Sequence, residues 1–515
     1  MMRRLAALRT SLMLPGILVL TLALRAPSFL EPPWYDDEGI YAAVAHAVLN
    51  GSDIYREALD NRPPGLYLLY ALLLGGVGFQ PVFVKIGAAL AVLAAQVILY
   101  RMGRRLWSPG AGLVAAASTG VLLSAPVLEG NIANAEVFMA VPVALGMLLA
   151  LQGHWLRAGL ALGVAFLIKQ IAGLEFLAVA LALLWWAPHP ARPLAYLTLG
   201  FLAPLLVTLG YLAQQEVLAD FLFAGFGYYL GYVQRGTRIP ATPAFFALRT
   251  LLFLGLAALV WQHFRGQPRS GERVARGLPW LWLVCAGYGV FFTARPYPHY
   301  ILQGVPPLAM VLAPYLTVWR TVPVSGWSGG RLVAACAAVA ATVWLFVVIY
   351  IPWPTWASPE RTVGYYQNFA ELVRGRRTLQ QYNDFFDRRV NRNLRIVSYL
   401  RQHAGPRTYV LVWGDEPWIY PLADIRNPTR YSVSYFTYEV PSGLDEVVYA
   451  VRVRKPRYIV WTKNKPLYPK LKEEIDAHYT VAATVENADI LERMGTDRAQ
   501  DRVQSAAPPP LDDAH

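Results

Sequence analysis

Apolar runs separated by short polar loops fill the first two thirds of the chain. They fall near residues 12–30, 82–100, 111–128, 137–152, 156–169, 171–187, 194–213, 244–264, 278–294, 300–319 and 332–351. Most approach the ~20 residues needed to cross a hydrocarbon layer. The pattern predicts a polytopic α-helical membrane protein with about eleven transmembrane helices. Residues 66–79 are apolar but short, and are read as lying on the external face rather than spanning. The stretch 31–81 then becomes one long external loop carrying surface helices. Ile40, Tyr41, Val44, Ala45 and Val48 form one stripe, which fits a helix lying along the membrane with His46 on its solvated side.

The pattern changes after 351. Pro352, Pro354 and Pro359 break the helix. Strand-like runs at 407–413, 457–461 and 480–485 alternate with helical patterns at 391–403, 443–454 and 466–478. This predicts a small α/β soluble domain over 352–495, followed by a disordered polar tail at 496–515. Residues 1–351 form the transmembrane domain.

Charge orients the helices. Arg3, Arg4 and Arg9 precede the first run, and later arginine groups fall in alternate loops. Strict alternation places these on the cytoplasmic side, with the N-terminus in and the C-terminus out. Of the 515 residues, 56% are hydrophobic and 15% charged, well below the roughly 25% charged residues of soluble domains. The net charge of +13 follows from these orienting arginines and does not indicate nucleic-acid binding. Cys285 and Cys336 lie inside apolar runs and form no disulfide framework. The N-terminal run lacks a small-residue cleavage site and reads as a retained signal anchor.

The same threading gathers polar residues on the external face. Asp36, Asp37 and Glu38 follow the first run. One carboxylate suffices to cap a helix; three in a row beside a bilayer suggest a general base or an oxygen site for a divalent cation. Arg62 sits in Asp60-Asn61-Arg62-Pro63-Pro64-Gly65. The prolines make a turn, and the guanidinium suits a bidentate phosphate contact. Lys169 either snorkels to the interface or binds phosphate. Arg295 and His299 share a Pro-stiffened turn that can hold a phosphate, with His299 also a candidate metal ligand. Glu136 either caps a helix or adds a second acid. An aromatic loop at 226–233 brings Tyr228, Tyr229 and Tyr232 to this side. No Gly-rich phosphate loop, His-Glu-x-x-His or Cys-x-x-Cys motif occurs.

Asp37-Glu38, the short helix ending at Asn50-Gly51, Tyr55-Arg56-Glu57 and Asp60–Gly65 resemble the first external loop of GT-C glycosyltransferases. The resemblance is to the protein O-mannosyltransferase and aminoarabinose transferase group, in particular its bacterial members of unassigned acceptor. Glu136, Leu167-Ile168-Lys169, Pro298-His299-Tyr300 and Val412-Trp413-Gly414-Asp415 resemble later landmarks of the group. The resemblance implies a polyprenyl phosphate sugar as donor and inverting transfer to a glycan, lipid or protein acceptor. It also implies a multi-pass protein of a bacterial inner membrane, with its active site facing the periplasm or exterior. Asp37 would be the catalytic carboxylate, with Asp36 an extra acid beside it. Glu38 would support Asp37 or, with His299, help bind a divalent cation. Arg62 stands where relatives often carry Lys and would hold the donor phosphate with Lys169, Arg295 and His299. The competing reading is a transporter or flippase of a lipid-linked or anionic substrate. It predicts broken mid-membrane segments in paired halves, which the sequence does not display.

Overall fold

The structure, a computed structural model, describes residues 2–76, 79–228, 243–266, 268–292, 295, 297–318 and 358–495. The protein is mostly helical and multi-pass, with a small sheet near its C-terminus. Among the described residues six helical segments are long and apolar enough to cross a membrane: Met13–Leu30, Pro81–Leu106, Ala191–Gln214, Phe246–Phe264, Gly271–Phe292 and Pro298–Thr317. The predicted runs at 111–128, 137–152, 156–169 and 171–187 are shorter helices, Pro109–Leu122, Ala135–Leu151, Trp155–Ile168 and Gln170–Trp186. The predicted run at 332–351 and the tail at 496–515 lie outside the described residues.

The chain divides into two compact units. One comprises Met1–Phe29, Lys85–Val207 and Val233–Gln367; the other comprises Leu30–Val84, Thr208–Tyr232 and Asn368–His515. The first is a helical bundle. Ala135–Leu151 pairs with Trp155–Ile168, Gly173–Trp186 with Gly271–Phe292, and Pro109–Leu122 with Val305–Val318. Its turns are held by buried polar groups. Arg25 donates to the carbonyls of Leu123 at 3.0 Å and Gly130 at 2.6 Å, satisfying backbone acceptors that have no water to reach.

The second unit joins the first long loop to the α/β region. The helix Asp36–Leu49 packs against Pro64–Gly75 and Ile419–Ala423. Every residue from Glu38 to His46 is buried. The expected surface helix with one apolar stripe is therefore corrected: protein covers it on all sides. The contact is tightest at Gly39, where a Cβ would lie 2.7 Å from Pro417 Cγ and 2.8 Å from Trp418 Cδ1. Trp418 Nε1 donates to the Tyr35 carbonyl at 3.2 Å. His46 is likewise buried rather than solvated, with Nε2 2.8 Å from Asp424 Oδ1. The helix Pro64–Gly75 has 12 residues, about 18 Å of length, well short of a span.

Four strands form the sheet in the order β1-β2-β4-β3. They are β1 (Val410–Trp413), β2 (Tyr458–Thr462), β3 (Tyr479–Val485) and β4 (Ala488–Arg493). The pair β1–β2 is parallel, with Val410 opposite Tyr458. The crossover between them contains the helix Gly443–Arg454, as parallel neighbours require. β4 pairs antiparallel with both β2 and β3 and is a strand the sequence pattern did not announce.

Beyond β1 the chain turns sharply at Gly414, where any Cβ would collide with Glu416 and Thr462. Glu416 is fully buried and accepts from Arg392 Nη2 at 2.5 Å, with side-chain exposures of 0% and 2%. Removing one partner of such a pair strands the other charge in a low dielectric. Glu416→Ala is expected to destabilise this unit by about 3–5 kcal/mol. The check is a drop in the thermal midpoint of the detergent-purified protein, with Arg392→Met largely restoring it.

Candidate active site

The acid cluster opens the helix Asp36–Leu49, so the three carboxylates leave it in different directions. Asp37 faces Arg62: its Oδ2 lies 3.9 Å from Arg62 Nη2 and accepts from the Tyr41 hydroxyl at 3.3 Å. The Arg62 guanidinium also lies 5.9 Å from the Tyr41 ring centroid and donates to the Asn61 side-chain carbonyl.

The Arg62 backbone is clamped on both sides. Its N–H donates to the Tyr67 hydroxyl at 3.0 Å, and its carbonyl accepts from the Tyr55 hydroxyl at 3.0 Å. Tyr67 donates its own proton to Asp60 Oδ2 at 2.8 Å, and Asp60 Oδ1 accepts from the Asn61 N–H at 2.7 Å. Burial pushes the Asp60 carboxyl up, while Arg62 opposes the shift. Tyr55 and Tyr67 are fully buried. Tyr55 holds its position at a φ of 69°, a left-handed conformation that costs a bulky side chain about 1–3 kcal/mol.

Asp36 turns the other way, with Oδ1 3.4 Å from Arg389 Nη2. Arg389 is held by Asp387 at 2.8 Å and donates to the Asp415 carbonyl at 3.3 Å. Desolvation pushes the Asp36 carboxyl up to about 7; Arg389 opposes this, while Asp415, Glu416 and Asp37 reinforce it. Its side chain keeps 42% exposure, so solvent screens part of the effect. Glu38 is fully buried in the interior of the unit. In the same unit the Tyr228 hydroxyl donates to Glu439, and its ring packs edge-on against Phe436 at 5.8 Å. Tyr229 and Tyr232 lie outside the described residues.

The remaining candidates belong to the helical bundle. Lys169 ends the helix Trp155–Ile168 as its C-cap. Its ammonium forms an ion pair with Glu136 and sits 4.4 Å from the Tyr300 ring centroid. Both charged residues are buried. Lys169 therefore does not snorkel to an interface. Glu136 lies in the first turn of Ala135–Leu151, whose N-cap Asn134 is fully buried with neither amide atom hydrogen-bonded. His299 Nδ1 is 2.5 Å from Glu129 Oε2, with both side chains 3% exposed. Arg295 lies on the same turn, half-buried, its carbonyl accepting from the Tyr297 N–H at 2.9 Å. The sequence alone assigned no role to Glu129. Its φ of 56°, beside Gly130, is the local mark of the turn that carries it.

Among the described residues no three His, Cys, Asp or Glu side chains form a group able to hold a metal ion. Glu38 and His299 belong to different units, and neither is part of such a group.

Residues 61–213 match the sequence model of the family described as "Dolichyl-phosphate-mannose-protein mannosyltransferase". In structure the chain is similar to ArnT from Cupriavidus metallidurans bound to undecaprenyl phosphate, with a TM-score of 0.53 and 17% identity over 93% of this chain and 98% of that one. The apo form of the same protein gives 0.54 and 16% identity, over 94% and 98%. No curated protein matches in sequence. The fold is that of the GT-C glycosyltransferases, a class of integral-membrane enzymes.

The folded pKa of Asp36 lies above its ordinary 3.8. Between 3.8 and about 7 the folded protein retains a proton that the unfolded chain releases, so this group's contribution to stability falls as pH rises through that window. Asp36→Asn is expected to flatten this part of the pH profile of the thermal midpoint and to exceed the native chain in stability at pH values above the window.

Proposed function

We propose that the chain transfers a sugar from a polyprenyl phosphate donor to an acceptor hydroxyl with inversion, and that Asp37 and Arg62 are the centre of the reaction. The observation that carries this reading is their pairing on one side of a turn whose backbone is fixed by two tyrosine hydroxyls. In the step proposed, Asp37 takes the proton of the acceptor hydroxyl. The acceptor oxygen forms the new bond to the anomeric carbon. The bond from that carbon to the phosphate oxygen breaks, and its electron pair leaves on the lipid phosphate. Negative charge grows on that phosphate, and a guanidinium that need not reorganise stabilises it.

The loose approach of Arg62 to Asp37, 3.9 Å, suits this role. A tighter ion pair would use the guanidinium before a phosphate could. Lys169, paired with Glu136, is assigned to phosphate binding by the family resemblance. The Glu129 carboxylate orients His299 and holds its ring, as a carboxylate orients a base in many sites. Asp36 tunes the cluster rather than acting as base, because Arg389 draws it away from Arg62. The Arg distribution favours this chemistry on the outer face of the membrane, and a bacterial inner membrane is what the family resemblance implies. Glycan, lipid and protein acceptors all fit it, and residues 352–495 are assigned to the extracytoplasmic side.

Purified protein assayed with a polyprenyl phosphate sugar tests the assignment. Asp37→Asn is expected to lower the rate by about 10²–10⁴-fold, and Asp36→Asn by far less. Full activity of Asp37→Asn would remove its role. Arg62→Lys keeps the charge but loses the planar fork, and is expected to weaken the donor KM more than an acceptor KM.

A further inference from the structure

Three segments of the helical bundle meet at Gly289, on the helix Gly271–Phe292. A Cβ there would lie 2.5 Å from Gln303 Nε2 and 3.1 Å from Ile171 Cγ1. Only glycine leaves room for the amide at this distance. Ile171 sits in the short 3₁₀ turn Gln170–Ala172 that follows Lys169. Gln303 sits on the 3₁₀ helix Pro298–Gly304, which carries His299 and Tyr300.

The chain on the Lys169 side is joined to that 3₁₀ helix twice. The Lys169 ammonium lies 4.4 Å from the Tyr300 ring centroid. Glu175, in the first turn of Gly173–Trp186, accepts from Gln303 Nε2 through its Oε1 at 2.9 Å. Glu175 and Gln303 are buried, at 0% and 6% exposure. A carboxyl this deep in an apolar bundle is costly, and the bond returns little stability: replacing both partners by apolar groups of the same shape is close to neutral. What an apolar contact would not supply is direction. The bond fixes one segment against the other at a single distance and register.

We propose that Glu175 and Gln303 are positioning residues: their hydrogen bond, seated against Gly289, sets the Lys169 turn against Pro298–Gly304 and so fixes the Lys169 ammonium for a phosphate. The inference rests on the assignment of Lys169 to phosphate binding made above, and not on the transfer step itself. Neither Glu175 nor Gln303 touches the ligand. Without their bond the two segments can slide, and the ammonium loses its fixed place between Glu136 and Tyr300. A shift of about 1 Å is enough to weaken a preorganised contact.

The test measures binding of a short-chain polyprenyl phosphate to the full-length protein in detergent, by isothermal titration, beside sugar transfer. The native protein is expected to show one saturable site. Glu175→Ala and Gln303→Ala should each weaken it about tenfold, the scale of one lost buried hydrogen bond. Both should raise the donor KM and leave the acceptor KM in place. Glu175→Gln keeps an oxygen for the Gln303 amide and should recover most of the loss. The double variant Glu175→Met with Gln303→Met replaces both partners by apolar chains of similar shape, and is expected to melt near the native midpoint. A purely structural role predicts native affinity in that protein; the positioning role predicts the same tenfold loss as in the single variants. If the double variant melts early, the comparison of Glu175→Gln with Glu175→Ala decides. Native affinity in the double variant, equal losses in Glu175→Gln and Glu175→Ala, or no saturable phosphate binding by the native protein overturns the proposal. A native protein that binds the phosphate with this variant pattern but transfers no sugar removes the transferase reading and supports this one.

Discussion

A turn that must keep its shape while carrying a positive charge governs the candidate site. Asp60, Asn61 and Arg62 are all at least nine-tenths buried, and buried backbone and charge must find partners inside the protein. Tyr55 and Tyr67 provide them, one hydroxyl on each side of the Arg62 peptide. The backbone is thus fixed, and the guanidinium is placed by Asn61, the Tyr41 ring and Asp37. The acid-bearing helix is pinned separately, by the contact of Gly39 with Pro417 and Trp418. Two rigid pieces therefore present Asp37 and Arg62 to one another, which is the arrangement a preorganised site needs.

The helical bundle handles charge by a different rule. Lys169 with Glu136, and His299 with Glu129, are close buried pairs. Such pairs add little net stability, because desolvation offsets most of the attraction. Their retention in an apolar setting is better explained by use than by strength. Each pair joins two helical elements whose ends lie beside irregular turns, at Lys169–Ala172 and at Leu128–Gly130. Irregular backbone in such a bundle is tolerated where protein or a cavity surrounds it.

Apolar periodicity carries the fold in the sequence, since span length and composition act locally. The run at 82–100 appears as Pro81–Leu106 and that at 194–213 as Ala191–Gln214. The Asp37–Arg62 partnership was legible as well, because both residues stand out within one loop. What stayed hidden depends on contacts distant in the chain. Glu129 meets His299 across 170 positions, and Asp36 meets Arg389 across 353; no spacing reveals either. β4 was missed because Glu486-Asn487 is not a standard hairpin turn: Glu486 takes a φ of 53°, where glycine or asparagine usually signals a reversal. His46 and its helix were misjudged because an apolar stripe reports one buried face, and here the C-terminal region covers the other.

Tyr55 has a consequence for the order in which the molecule assembles. A left-handed backbone is costly for a tyrosine, and a bond within the turn, from the Tyr55 N–H to the Ala58 carbonyl at 3.0 Å, favours it locally. It is held by partners that come from elsewhere: the Arg62 carbonyl, and the ring of Phe221 at 5.3 Å, 166 positions away. The ring contact forms only after Phe221 has been synthesised and docked. A chain that ends before Phe221 would lack that packing against the turn. Packing of the turn that carries Arg62 is thus tied to completion of its unit.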